Sequence, residues 1–230
     1  MNLKGILFDF NGTLLFDSDM HMEAFRRVLP KYYGIEAPSL DDMLATVFGR
    51  TNRMFYTSRI SPDYTEDDLK TFVERKENEY FNICMELGES FRLADGAYEM
   101  LDAIKESGIP YCLATGSERI NVEFYMKHLN LDRWFSWDNI VYENGTFVGK
   151  PAPDIYHLAA ERLGLSTSDC LVFEDGTSGI RAANAAGAGA VIAVYDKKYP
   201  SPLTEETKVD AVYHDHLEWK KTLAKYGLMR

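Results

Sequence analysis

Cysteine is scarce in this chain. The three thiols, Cys84, Cys112 and Cys170, are an odd number at wide spacing and match no zinc-ligand pattern. Each sits in an apolar run, which reads as a small buried hydrophobe with a free thiol and fits a reducing compartment. Long hydrophobic runs are absent as well. None approaches the roughly 18 residues needed to cross a bilayer, and the opening stretch MNLKGILFDF reaches Asp9 too early for a secretory leader. These absences predict a soluble, cytoplasmic protein with no membrane partner. Positive charge is in deficit: 25 Lys and Arg stand against 36 Asp and Glu, a formal charge of −11. Such a surface repels phosphate backbones, so nucleic acid is not an expected partner. A small anion is not excluded, because a local site, above all one with a bound cation, inverts the global field. With 230 residues, 46% of them hydrophobic, the chain can bury a large core, as one domain or as a core with a smaller partner. The oligomeric state is open, and a monomer is compatible with the sequence.

Four short apolar runs read as buried parallel strands: residues 4–10, 109–115, 170–175 and 190–195. They are continuous rather than alternating, as in strands covered on both faces. Two shorter candidates are 139–142 and 210–214. Amphipathic helices lie between them. One carries the stripe Ala97, Met100, Leu101 and Ile104 and stops at Gly108. Another, TSGIRAANAAG, is rich in small residues that let a helix lie close on a sheet. Strand alternating with helix predicts an α/β fold with a parallel sheet. Residues 17–88 break the rhythm. They contain no convincing strand and read as helices, the last opening with a capping-box-like Thr65 and Asp68 and carrying the stripe Leu69, Phe72, Val73, Tyr80, Ile83, Cys84, Leu87. The expected division is therefore an α/β core of 1–16 and 89–230 with an inserted all-helical domain of 17–88.

In an open parallel sheet, ligands bind beyond the carboxyl ends of the strands. There the sequence places Asp9-Phe10-Asn11-Gly12-Thr13, Thr115-Gly116-Ser117, Glu174-Asp175-Gly176, and a loop with Gly149-Lys150-Pro151. Singly, each residue has an ordinary account: Ser117 and Asp175 as helix caps, Lys150 as a solvated lysine. Together they bring three acids, a hydroxyl and one lysine to one sheet edge. Clustered carboxylates repel unless a divalent cation sits among them, and oxygen-only ligands point to Mg²⁺. A lysine and a hydroxyl beside that cation suit a phosphoryl group. Other phosphate schemes fit poorly. The run 145–151 is one residue short of a P-loop and has Pro151 after its lysine, and neither GxGxxG opening a helix nor GxSxG occurs.

DFNGT, LATGS, GKPAPD and LVFEDGTSGIRAA, in this order, resemble the four motifs of the haloacid dehalogenase-like (HAD) phosphohydrolases. The resemblance spans nearly the whole chain. It implies a Rossmann-like core with a helical cap, as in the β-phosphoglucomutase-like branch, the cap closing over substrate to exclude water. It further implies that Asp9 is the nucleophile that forms an aspartyl-phosphate. Thr115 and Gly116 would hold the phosphoryl group, and Lys150 would neutralise it. Asp9, the Asn11 backbone carbonyl and Asp175 would bind Mg²⁺, with Glu174 ligating directly or through water. His21, Arg50 and Arg53 would be the cap residues that reach substrate, though each also reads as an exposed helix residue.

Asn11 departs from the family's pattern. Phosphatases of the family usually carry a second aspartate there, which protonates the leaving oxygen and then activates water. An amide cannot exchange that proton, a role worth about 10²- to 10⁴-fold. Asp17 also stands one residue later than is usual. The leading expectation is a Mg²⁺-dependent hydrolase of a small phosphorylated metabolite, such as a sugar phosphate, with activity reduced by Asn11. The alternatives are a phosphometabolite-binding or regulatory protein with a degenerate site, and a β-phosphoglucomutase-type phosphomutase. A phosphonatase ranks lower, since Lys31, Lys70 and Lys76 have no assignable context as Schiff-base lysines.

Overall fold

A computed structural model describes residues 2–46 and 51–229. In chain order the regular elements are β1 (Gly5–Phe8), α1 (Ser18–Tyr33), α2 (Leu40–Thr46), α3 (Asn52–Arg59), α4 (Glu66–Glu86), α5 (Ala97–Glu106), β2 (Tyr111–Glu118), α6 (Arg119–His128), β3 (Ile140–Glu143), α7 (Asp154–Arg162), β4 (Cys170–Glu174), α8 (Thr177–Ala185), β5 (Ala190–Val194), β6 (Ala211–Tyr213) and α9 (Trp219–Lys225). The chain divides into two compact units, Met1–Phe16 with Leu93–Arg230, and Asp17–Arg92.

The larger unit is built on a six-stranded sheet in the order β3-β2-β1-β4-β5-β6. Every pairing is parallel, so the expected α/β architecture is what the chain adopts. The strands fall on the apolar runs because they are covered from both sides. On one face Leu7, Cys112, Ala114, Val172, Val191 and Ala193 pack against Ile155, Tyr156 and Ala159 of α7 and Ile180 and Ala183 of α8. The alternate residues Ile6, Phe8, Leu113, Leu171, Phe173 and Ile192 are buried as well. The stripe of α5 is buried as its spacing predicts. All three cysteines are free and buried, and burial pushes the thiols of Cys84 and Cys112 up to about 12, which fits inert packing groups.

The smaller unit is helical. Phe25 and Leu29 of α1, Phe55 and Tyr56 of α3, and Leu69 and Phe72 of α4 form its apolar core with Met43. Thr65 and Asp68 make a reciprocal capping box at the start of α4. The α4 stripe is not uniformly apolar: Leu87 is exposed, whereas Lys76 and Glu77 are buried among the hydrophobic residues. A polar pair inside an apolar face needs partners, and it has them, as described below. Among the described residues, no helix is long and apolar enough to cross a membrane.

Candidate active site

β1 is flanked by β2 on one side and β4 on the other, which makes its carboxyl end the point where strand order reverses. Asp9 follows directly, and its N–H still donates to Phe173 O at 3.0 Å. The chain then doubles back: the N–H groups of Thr13, Leu14 and Leu15 all donate to Phe10 O, and Gly12 N donates to Leu15 O at 2.7 Å. Gly12 has φ +82°, and a Cβ there would lie 2.0 Å from Asp175 Oδ2. Only glycine lets this loop pass so close to that carboxylate.

Lys150 reaches in from the loop before α7. Its Nζ lies 2.5 Å from Asp9 Oδ1 and 2.5 Å from Glu174 Oε1, with all three groups buried. Thr13 Oγ1 bridges the acids, 3.1 Å from Asp9 Oδ2 and 3.4 Å from Asp175 Oδ1. Glu174 is fully engaged. Its Oε1 accepts from Lys150 and, at 2.9 Å, from the Tyr156 hydroxyl; its Oε2 accepts from the N–H groups of Asp175 and Gly176 at 2.8 and 2.9 Å. Helix α8 allows this by its small residues, since a Cβ on Gly179 would lie 1.6 Å from Glu174 Oε1.

The charge balance is the informative feature. Burial pushes the Asp9 carboxyl up to about 7, against the pull of Lys150 and with Glu174 adding to the rise. Lys150 stays above the ordinary lysine range, because the charges of Asp9 and Glu174 outweigh its burial. Two buried carboxylates share one ammonium, and Asp175 adds a third. Oxygens of Asp9, Glu174 and Asp175 lie within 4.8 Å of one another. Hard oxygen donors with surplus negative charge fit a small divalent cation of the Mg²⁺ kind.

The other half of the site comes from a break in the sheet. β2 pairs with β3 at Ala114–Val141 and again at Glu118–Glu143, with an irregular register between. The extra residues Thr115, Gly116 and Ser117 leave the ladder there, as a bulge requires. Gly116 is exposed, with open space where a Cβ would stand. Ser117 Oγ donates to Asn11 Oδ1 at 2.6 Å rather than capping α6, and Thr115 Oγ1 is 3.5 Å from the same oxygen. Asn11 Nδ2 donates to the Tyr125 hydroxyl at 2.8 Å. The amide at position 11 is therefore held at both ends.

Asp9, Asn11, Thr115, Gly116, Lys150, Glu174 and Asp175 thus lie at one sheet edge. The cap candidates lie in the helical unit. His21 is inside a polar network: Lys76 Nζ donates to its Nδ1 at 2.9 Å and to Glu77 Oε1 at 2.9 Å, His21 Nε2 is 3.2 Å from Asp17 Oδ2, and Asp17 accepts from Tyr80 at 2.6 Å. Arg53 is exposed and forks onto Glu66 with two 2.7 Å bonds. Arg50 lies outside the described residues. The sequence assigns no place in the site to Thr13, Tyr125 or Tyr156, and reads Ser117 as a helix cap. Thr13 and Ser117 sit inside DFNGT and LATGS, where proximity to the acids was the available signal; the tyrosines meet their partners only through the fold.

A parallel α/β sheet with a lysine-bridged acid cluster at its switch point defines an enzyme class that handles small anionic groups. A family model for haloacid dehalogenase-like hydrolases matches residues 3–187, and the chain belongs to that family. It is similar to the fructose-1-phosphate phosphatase of Escherichia coli, with 31% identity over 81% of this chain and 94% of the relative. It is also similar to a phosphorylated carbohydrates phosphatase of Thermotoga maritima, with 29% identity over 80% of this chain and 82% of the relative. Among solved structures, a HAD hydrolase of family IA, variant 3, from Entamoeba histolytica matches with a TM-score of 0.82 and 31% identity, covering 98% of each chain.

Proposed function

We propose that this hydrolase is a Mg²⁺-dependent phosphatase of small phosphorylated metabolites, sugar phosphates among them, working through phospho-Asp9. The observation that carries the reading is the cluster of three carboxylates in which buried Asp9 and Glu174 share Lys150 and half-buried Asp175 lies beside them. The substrates in the names of the two phosphatase relatives support the sugar phosphate.

In this reading Lys150 and Thr13 hold the two oxygens of Asp9 in one orientation, ready to attack phosphorus. The Asp9–phosphorus bond forms as the bond to the leaving oxygen breaks, and water later releases phosphate. Thr115 and the bulged backbone at Gly116 hold the phosphoryl oxygens. Mg²⁺, held by Asp9, Asp175 and the Asn11 backbone carbonyl with Glu174 adding charge, would neutralise the phosphoryl group. Glu174, with four hydrogen bonds already made, serves chiefly to fix Lys150. Substrate choice is assigned to the helical segment 17–88, with His21, Arg50 and Arg53 as its candidates. The expected location is the cytoplasm.

Asn11 limits the rate. An alkyl leaving group needs a proton, and water attacking phospho-Asp9 needs a base; an amide supplies neither. Turnover is therefore weak, improves with the leaving group, and leaves a persistent phospho-Asp9. The test is steady-state turnover of an aryl phosphate and a sugar phosphate with Mg²⁺, with intact-mass detection of the phosphoenzyme and Asp9→Asn as control. Aryl turnover that disappears in Asp9→Asn supports the reading. Asn11 favours a second reading, a phosphometabolite-binding protein: saturable binding of sugar phosphate with no Asp9-dependent turnover of any phosphate ester would establish it instead.

A further inference from the structure

We infer that His216, far in sequence from every motif, is a positioning residue for the nucleophile loop; the kinetic part of this inference rests on the phosphatase reading. His216 follows β6 and is 3% exposed. Its Nε2 lies 2.9 Å from the Thr13 carbonyl oxygen. A carbonyl only accepts, so Nε2 carries the proton and Nδ1 does not. The ring is neutral, since burial pushes the imidazole down to about 4. It rests against Phe173 of β4, with 5.8 Å between ring centroids.

The surroundings explain why this bond matters. Thr13 is fully buried, and its hydroxyl spans Asp9 Oδ2 and Asp175 Oδ1. Its hydroxyl can reach both acids only while its peptide stays in place. The loop's own bonds converge on Phe10 O and leave the Thr13 carbonyl to His216. Three segments meet here. The His216 N–H donates to Asp95 O at 2.8 Å, and Ala94 N donates to Leu14 O at 2.8 Å. Gly96, with φ +82°, passes so near that a Cβ would lie 2.6 Å from the His216 carbonyl carbon. Residues 13–14 lie just before the chain leaves this unit after Phe16, and 94–96 just after it returns at Leu93. His216 thus ties the returning segment to the loop that bears Asp9. Without its donor, a buried carbonyl loses its partner, and the Thr13 hydroxyl loses its fixed place between the acids. Lys150, Thr115 and the phosphate-holding backbone are untouched, so the loss falls on kcat rather than KM.

The test compares three variants. His216→Phe keeps a ring without a donor, His216→Gln carries an amide donor at the place of Nε2, and His216→Asn places it one bond short. We expect His216→Phe to lower kcat for an aryl phosphate about fivefold to tenfold, with KM unchanged within about twofold and His216→Gln recovering most of the loss. Should His216→Phe not fold, His216→Asn takes its place with the same expectation. An unchanged kcat in Phe and Asn, or Gln as impaired as both, overturns the inference. A second readout does not need turnover. Nitrogen NMR should show the Nε2–H tautomer at His216, and amide exchange at Leu14 and Leu15 should speed up in Phe or Asn but not in Gln. If wild type has no Asp9-dependent turnover, the phosphatase reading fails and the loop contact is decided by this readout alone: the Nδ1–H tautomer, or exchange that ignores the substitutions, overturns it.

Discussion

Two buried lysines, one in each unit, meet buried carboxylates with opposite results. In the α/β unit burial outweighs Lys150, and the Asp9 carboxyl rises to about 7. In the helical unit burial would also raise Glu77, but Lys76, His21 and the Asn52 amide outweigh it and hold the carboxyl below its usual range. The difference is in the company each lysine keeps. Lys150 is divided between Asp9 and Glu174, with Asp175 close by. Lys76 has Glu77 as its carboxylate and turns its other contact to the His21 ring. The helical network sets two carboxylates, Asp17 and Glu77, against one lysine and an imidazole, and each of the four has a partner within it, as a structural ion pair must. The acid cluster is left with surplus negative charge that its own residues do not balance. Such imbalance marks a place built for a ligand.

Substituting the lysine that is shared should have the largest effect on chemistry. Lys150→Met is expected to cut aryl phosphate turnover by about 10³-fold or more, as loss of a buried charge at a phosphoryl site does, with no phospho-Asp9 seen by intact mass. Its cost in folding should be modest, because Asp9 can take up a proton near neutrality. Glu77→Gln inverts the pattern. It strands the Lys76 ammonium and should destabilise by about 3 kcal/mol, the scale of breaking a buried pair, read as a lower urea midpoint. If Glu77→Gln is neutral and Lys150→Met unfolds the protein, the comparison is wrong in both halves.

How far these two clusters were legible follows from how they are assembled. The strands announced themselves as continuous apolar runs because both sheet faces are covered. Asp9, Thr115, Lys150 and Asp175 were legible because each lies in a motif that ends at the same sheet edge. Ser117 reads equally well as a helix cap, and only the bulge in β2 sends its hydroxyl to Asn11 instead. Tyr125 to Asn11, Tyr156 to Glu174 and His216 to Thr13 are pairings between distant segments that no local spacing encodes. In the helical unit, Lys76 and Glu77 looked like ordinary charged residues of α4. Their burial depends on Asn52 of α3 and on His21 of α1, so the periodicity of one helix could not reveal it.

Asn11 sharpens the comparison from within the acid cluster. An aspartate at this position keeps the acceptor that Ser117 and Thr115 address, and the Tyr125 hydroxyl can reverse its role and donate. Asn11→Asp should therefore fold normally and raise sugar phosphate turnover by about 10²-fold, with the phosphoenzyme no longer persisting in intact-mass spectra. Rapid turnover before the substitution and no gain after it would mean that another group supplies the proton.

The smallest effect concerns stability and reverses its usual sign. The Asp9 carboxyl sits near 3.8 in an unfolded chain and about 7 in the folded one. Between those values the folded state binds more protons than the unfolded state. Asp9's contribution to stability is thus present below about pH 4 and is lost as pH rises through about 7. Removing its charge should then stabilise the protein at high pH. Asp9→Asn, measured by urea denaturation with chelator present, is expected to match wild type below about pH 4, to gain on it steadily as pH rises above that, and to be clearly the more stable protein at pH 8. Added Mg²⁺ should stabilise wild type at pH 8 and narrow this gap, since a ligand that binds only the folded state raises its stability. Glu77→Gln should show no such gain at any pH, since the Glu77 contribution is present at neutral pH and falls away only as acid protonates the carboxyl. A wild type that is more stable than Asp9→Asn at pH 8 without divalent cation would show that Lys150 alone satisfies the cluster, and the contrast between the two lysines would vanish.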